Sequence, residues 1–467
     1  MGGMTRLNRP MSRRGLLRGG MAATALTLLS SCDAGGSAAT TSPASVAPHT
    51  GPAAPAATGS QAGSVPNVRV SGDRYGVHVE PSVAVNPRNP RQLLAASQVS
   101  PGADPEFLAT YLSSDAGATW QPGAVPPLPA GANGDDVTVA FDAQGRGYVC
   151  ATSDEGGRAI FVWRTDDGGR TFSAPVTVLE NQYCDHPWLA TGQGPTPLAR
   201  NVYVVWGAGH ARTAPALDFA RSTDGGQSFE PPRRILAAST VPSDVGAGPE
   251  LTAGPDGLVC AVCDWTSQRE LSGDITGQVV AVVSTDWGHS FAAPVRLGSE
   301  SSVVVLPGDV MPNSGPTVAV SAQGDLYVAF PRRRAGTHAD IVVVASHDRG
   351  RTWSQPVSAT PADGVTYFQP NLAVDDAGRV GISAFALADG RVDQVLLVTQ
   401  PGKLRFQPPV RVTSTAFNPH TPTSGGKHGA WWIGDYQGIT AGESTFHLMW
   451  NDARTGKLDL FAATVRP

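Results

Sequence analysis

The chain has 467 residues, of which 54 are glycine and 39 proline; only 16% are charged, and the formal net charge is −5. That balance excludes a helical bundle or coiled coil, whose sequences concentrate Ala, Glu, Lys, Leu and Arg, and the acidic sign excludes a nucleic-acid binder working through a basic face. A hydrophobic share of 41% with ten tryptophans supplies a sizeable core and excludes a wholly disordered chain, which leaves a large, turn-rich protein, most simply all-β.

In chain order, the first 32 residues read as an address. Ser12-Arg13-Arg14-Gly15-Leu16-Leu17 resembles the twin-arginine export motif, and the apolar run from Met21 to Leu29 is too short to span a bilayer, as a signal peptide's apolar region is. Leu29-Ser30-Ser31-Cys32 resembles a lipobox, in which Cys32 would carry the lipid and become the mature N-terminus. Residues 33–66 are Ala, Ser, Thr, Pro and Gly with almost no large apolar group, so they cannot offset their ordering entropy and read as a tether. Together these segments predict an extracytoplasmic protein held on the outer face of the cell membrane, folded before export if the twin-arginine route is used.

From about residue 67 the chain repeats itself. Ser113-x-Asp115-x-Gly117-x-Thr119-Trp120 returns at Thr165–Phe172, Ser222–Phe229, Ser284–Phe291 and Ser346–Trp353, with Asp spacings of 52, 57, 62 and 62 residues. Thr399 to Phe406 keeps the length and the aromatic but has lost Asp and Gly. The motif resembles the Asp box, or BNR repeat, of sialidase-like β-propellers, and that resemblance implies one four-stranded blade per repeat. In such a hairpin Gly takes the φ > 0 position while Ser and Asp bind nearby backbone N–H groups, so the box aspartates are structural, and the resemblance places them on the rim opposite the active site.

A second repeat counts the blades. Short alternating strands begin at Pro81, Val137, Pro187, Pro249, Pro316 and Pro370, and a seventh unit runs from Ile433 through Phe446–Trp450 to Leu458–Val465. That last unit is one strand short, and Asn67–Ser71 is the natural donor, so the sequence predicts a seven-bladed propeller over 67–467 closed by its own N-terminal strand, with the six-bladed sialidase count as the alternative.

Aligning the innermost strands gives one column just before the Pro: Glu80, Asp136, His186, Gly248, Gly315 and Gln369. The column just after reads Ser82, Thr138, Trp188, Glu250, Thr317, Asn371 and, by a looser match, Asp435. Residues two apart on a strand share a side, so both columns are expected at the channel mouth. Asp185, Tyr367, Trp431, Trp432 and Tyr436 are neighbours. Glu80, Asp136, Glu250 and Asp435 are the candidate catalytic carboxylates; Asp185, His186, Trp188, Tyr367, Gln369, Trp432 and Tyr436 are the candidate substrate contacts.

Three chemistries fit this cluster. Acidic groups can simply order loop N–H groups; carboxylates with aromatics suit sugar binding or acid/base glycoside cleavage; His186, Asp185, Glu80 and Asp136 could hold a metal, although no HExxH or CxxC spacing supports one. No cofactor or metal is expected. The resemblance would further imply an arginine triad gripping a sugar carboxylate, but the place of the first arginine reads Tyr75-Gly76-Val77-His78-Val79-Glu80-Pro81, and nothing selects three from Arg158, Arg212, Arg269, Arg332, Arg333, Arg334 and Arg391. The reading is therefore a monomeric propeller that recognises a glycan or another small ligand at its mouth, with exo-glycosidase activity as the catalytic form of that reading. A protein-binding scaffold, or an unrelated enzyme using the acidic mouth, is the alternative. Cys150 and Cys184, in neighbouring blades, are either one disulfide or two buried thiols; Cys260 and Cys263, three apart on a strand, should face opposite ways.

Overall fold

The computed structural model describes residues 65–100, 107–153, 158–196, 200–208, 216–237, 245–266, 277–298, 306, 308, 310, 315–334, 338–421 and 431–467. The twin-arginine segment, Cys32, the tether up to residue 64, Arg212 and Arg269 lie outside the described residues.

Seven four-stranded antiparallel sheets form seven blades. Their innermost strands are Val77–Asn86, Asp135–Phe141, Cys184–Gln193, Val245–Ala253, Thr317–Val320, Thr366–Val374 and Gly438–Gly442. Each touches the next and the seventh touches the first, so the ring is closed. Among the described residues the regular elements are strands, apart from short 3-10 turns such as Pro255–Gly257. The seventh blade is completed by Val68–Arg69, which pairs with Ala462 and Phe461. Around that pairing, the Ser71 hydroxyl donates to Asp459 at 2.9 Å and Arg69 lies 3.0 Å from the same carboxylate. Closure in this way covers the outer side of the C-terminal strand Asp459–Val465 and leaves the two-residue Val68–Arg69 as the blade's short outer edge.

Because every blade is packed between two others, its central strands are apolar on both faces. Gly147–Ser153 is buried along its whole length. Seven apolar clusters each join a blade to its neighbour; the one between the first two blades sets Leu94 and Ala96 against Val137, Val149 and Trp163. Cys260 and Cys263 fall in different clusters and so face opposite ways, whereas Cys150 and Cys184 share one. All four are buried free thiols, and burial pushes Cys260 up to about 12, far from the thiolate range that makes a cysteine reactive.

The five Asp boxes are self-contained. The Ser113 hydroxyl donates to Asp115 and accepts the Gly117 amide, while Asp115 accepts the amide and the hydroxyl of Thr119 at 2.9 and 2.6 Å. The same bonds recur at Asp167, Asp224, Asp286 and Asp348. The five box glycines sit at φ between 71° and 96°, where a side chain would strain the turn. Each box ends in an aromatic (Trp120, Phe172, Phe229, Phe291 or Trp353) that packs on an apolar cluster between blades. The degenerate sixth place keeps the bridge between Thr399 and Phe406 and the packing of Phe406 on an apolar cluster, without the Ser/Thr–Asp hydrogen bonds.

Candidate ligand site at the channel mouth

Five of the seven innermost strands do not enter the ring as regular strands. Their pairing slips between Val79 and Ser82, Asp135 and Thr138, Asp185 and Trp188, Ala247 and Glu250, and Phe368 and Asn371. At each slip is a β-bulge, and the residue inside it has positive φ: Glu80 57°, Asp136 46°, His186 53°, Gly248 32° and Gln369 51°. Four of these are not glycine, and left-handed backbone costs such residues about 1–3 kcal/mol each. The prolines that follow in four of these blades have no N–H to give a ladder, and a bulge is where a strand tolerates that loss. The period-two expectation therefore does not carry across the bulge: Glu80 and Pro81 together stand opposite Ser97 alone. A bulge re-aims the side chain within it, and here the same device recurs around one end of the channel.

The bulged positions contact one another around the ring. The His186 amide donates to Asp136 Oδ2 at 3.1 Å, and carboxylate oxygens of Glu80, Asp135 and Asp136 lie within 4.8 Å of one another. Gln369 donates its Nε2 to the Gly434 carbonyl at 2.7 Å. A Cβ on Gly434 would stand 3.2 Å from the Glu80 amide nitrogen, and its φ of 91° also demands glycine. On the far side Gly248 faces the His186 ring, and a Cβ on Gly315 would meet the Gly248 carbonyl at 3.2 Å. The ring thus has an acidic arc on the first two blades and a bare glycine arc on the fourth and fifth.

Tyr436 closes the channel beneath. It is buried, its hydroxyl donates to the Val137 carbonyl at 2.9 Å, and its ring meets His186 and Trp188 edge-on at 5.0 and 5.6 Å. His186 and Trp188 stack on each other at 5.9 Å with 9° between their planes. Burial, followed by the charges of Glu80, Asp136, Asp135 and Asp435, holds the Tyr436 phenol well above its usual range, so it is a neutral hydroxyl at the foot of a cup. Asp135, Asp185, His186, Trp188, Trp432 and Asp435 remain partly exposed. Asp435 accepts the Trp432 indole N–H.

Other candidates are placed elsewhere. Glu250 is buried; it accepts the Val318 amide at 3.3 Å, and burial raises it to about 8 against the opposing hydrogen bond from Thr317, so it ties the fourth blade to the fifth. Tyr367 packs in the core between the fifth and sixth blades with its hydroxyl on Asp363 at 3.0 Å, and burial raises it. Arg332 and Arg334 both bind Asp340. Arg158 lies over the Tyr183 ring and donates to the Cys184 carbonyl at 3.1 Å, beside Asp185.

Sequence reasoning passed over Asp135 and Gln437. Asp135 was signalled by the doubled acid at a strand start, but strict alternation would send it away from Asp136. Gln437 donates to the Gln369 carbonyl at 2.8 Å and accepts at its own carbonyl from Asn371 at 2.6 Å, linking the sixth and seventh blades below the mouth.

A domain family described as BNR repeat-like matches residues 144–416. No curated protein matches the chain. In structure it is similar to a protein of unknown function from Dyadobacter fermentans (15% identity, 85% of this chain and 97% of that one, TM-score 0.49). It is also similar to an α-L-arabinofuranosidase from Fusarium graminearum complexed with an iminosugar inhibitor (13% identity, 86% and 98%, TM-score 0.48). A third similar structure is a Hadza microbial sialidase (14% identity, 80% and 76%, TM-score 0.45).

Proposed function

The chain belongs to the BNR repeat-like domain family, and from that premise we propose that it is an exported, lipid-anchored propeller that recognises a glycan at its channel mouth. The observation that carries the reading is the cup itself: Glu80, Asp135 and Asp136 converge beside the stacked faces of His186 and Trp188 over the Tyr436 floor. Aromatic faces take the C–H side of a sugar ring, and carboxylates accept its hydroxyls. Among the described residues, five carboxylates at or beside the mouth (Glu80, Asp135, Asp136, Asp185 and Asp435) stand against Arg158, a balance that disfavours an acidic sugar, so the ligand of this reading is a neutral or amino sugar and not a sialic acid.

Glycoside cleavage is the second reading, favoured by the closeness of the Glu80 and Asp136 oxygens. Carboxyl groups about 5–5.5 Å apart belong to retaining chemistry, in which one protonates the leaving oxygen and the other attacks the sugar. A glycan array joined to a fluorogenic glycoside screen, with wild type, Glu80→Gln and Asp136→Asn, tests both. Binding or turnover is expected in wild type and its loss in the variants. A wild type that binds no glycan and cleaves no glycoside leaves the protein-binding scaffold, which a Tyr436-plugged channel also suits.

The anchor rests on the order of twin arginines, short apolar run and Cys32. No helix among the described residues is long and apolar enough to cross a membrane. Detergent-phase partitioning of the full chain should follow Cys32: Cys32→Ala is expected in the aqueous phase, and a variant still in the detergent phase would rule the lipid out.

A further inference from the structure

Beside the mouth is a cavity of about 620 Å³ whose lining includes Val310, His338, Asp363, Thr366, Asp389 and His420. Its size falls in the range of small-molecule sites, about 300–1,000 Å³. Its wall mixes apolar surface with hydroxyl, imidazole and carboxylate groups, the mixture a saccharide presents in reverse.

Two connections join it to the cup. Thr366 opens the innermost strand of the sixth blade, three residues before Gln369, and is held by His338 Nδ1 at 3.2 Å. His420 lies 4.8 Å from the Trp431 ring and 2.8 Å from the Gly308 carbonyl, and Trp431 bridges to Val310. The next residue, Trp432, donates to Asp435 of the mouth. The adjacent residues Trp431 and Trp432 thus reach the cavity's lining and the mouth respectively. His338, Asp363 and Asp389 are exposed and His420 partly so, so a ligand can reach them from solvent.

We infer that this cavity is a second saccharide subsite, so that the ligand is a neutral oligosaccharide lying from the cup to the sixth blade, not a single terminal sugar. This rests on the glycan reading of the mouth and adds chain length to it. The acidic side chains of the cavity disfavour a uronate chain for the same Coulombic reason as the mouth.

The test is titration calorimetry of the full chain with neutral arabinose, mannose and glucose oligosaccharides of one to five residues. For the series that binds, affinity is expected to climb at least tenfold from one residue to three. Ala388 also lines the cavity, at the exposed end of strand Val380–Ala388; Ala388→Trp, placed to fill it, should erase the climb and leave the monosaccharide affinity in place. Ala388→Leu should blunt it, and serves if the larger side chain does not fold. Measurable binding that is flat with length, or a climb that neither variant changes, overturns the second subsite alone. No binding of any series to wild type overturns the glycan reading, and this inference falls with it.

Discussion

Two sets of aspartates in this propeller show how differently one residue type can be used. Asp224 in a box is exposed and accepts hydrogen bonds from residues two to four positions away, within a hairpin whose sequence specifies every partner. Asp136 at the mouth is buried, sits in left-handed backbone, and holds the amide of His186, fifty residues on. The box carboxylates are settled by their own turns and stabilise them. The mouth carboxylates crowd together where the backbone is strained, an arrangement that costs stability and is found where function requires it.

The sharpest way to break that contrast is to neutralise the mouth. Glu80→Gln and Asp136→Asn should each lower sugar affinity or turnover by about 100-fold or more, while the thermal midpoint stays level or rises as a buried charge is removed. A lowered midpoint with ligand binding intact would put the mouth in the same structural class as the boxes.

Glu250 separates the two classes by pH. Its folded pKa of about 8 lies above the ordinary glutamate value, so between about pH 5 and 8 the native state holds a proton that the unfolded chain has lost, and stability falls as pH rises through that window. Glu250→Gln should flatten that fall, with a gain on the order of a few kcal/mol near pH 8, read from urea midpoints against pH. An unchanged slope would mean that the carboxylate is solvated.

On the rim, Asp224→Ala should cost about 1–2 kcal/mol in urea unfolding and leave sugar binding unchanged. The smallest effect comes from acid. Hydrogen bonds from Thr352 lead the lowering of Asp348 to about 2, and at Asp167 and Asp286 the box bonds outweigh burial to reach about the same value. Box stabilisation is therefore complete above about pH 4 and is lost as pH falls through about 2. A wild type and an Asp348→Asn variant with the same acid unfolding curve would contradict this.

The same contrast explains what could be read from residues alone. The boxes, the seven repeating units and the facing of Cys260 and Cys263 follow from spacings of a few residues, and the blades follow from those units. The column Glu80, Asp136, His186 and Gln369 was legible as a column, because the proline after three of these residues marks the register. Its geometry was not. Nothing in a glutamate or a histidine announces positive φ, and the bulge that aims them depends on pairing with a second strand. Asp135 joined the cluster through that bulge, Glu250 went to the blade interface, and Tyr367 went into the core, because neighbouring blades decide these outcomes and a single strand's periodicity does not contain them.

The most direct measurement probes one glycan array with the wild type, Asp136→Asn and Asp224→Asn, each first checked for a cooperative unfolding transition. Wild type and Asp224→Asn are expected to bind the same neutral glycans and Asp136→Asn to bind none. Equal binding by all three would place the glycan site away from the mouth, and loss in Asp224→Asn alone would place it on the rim.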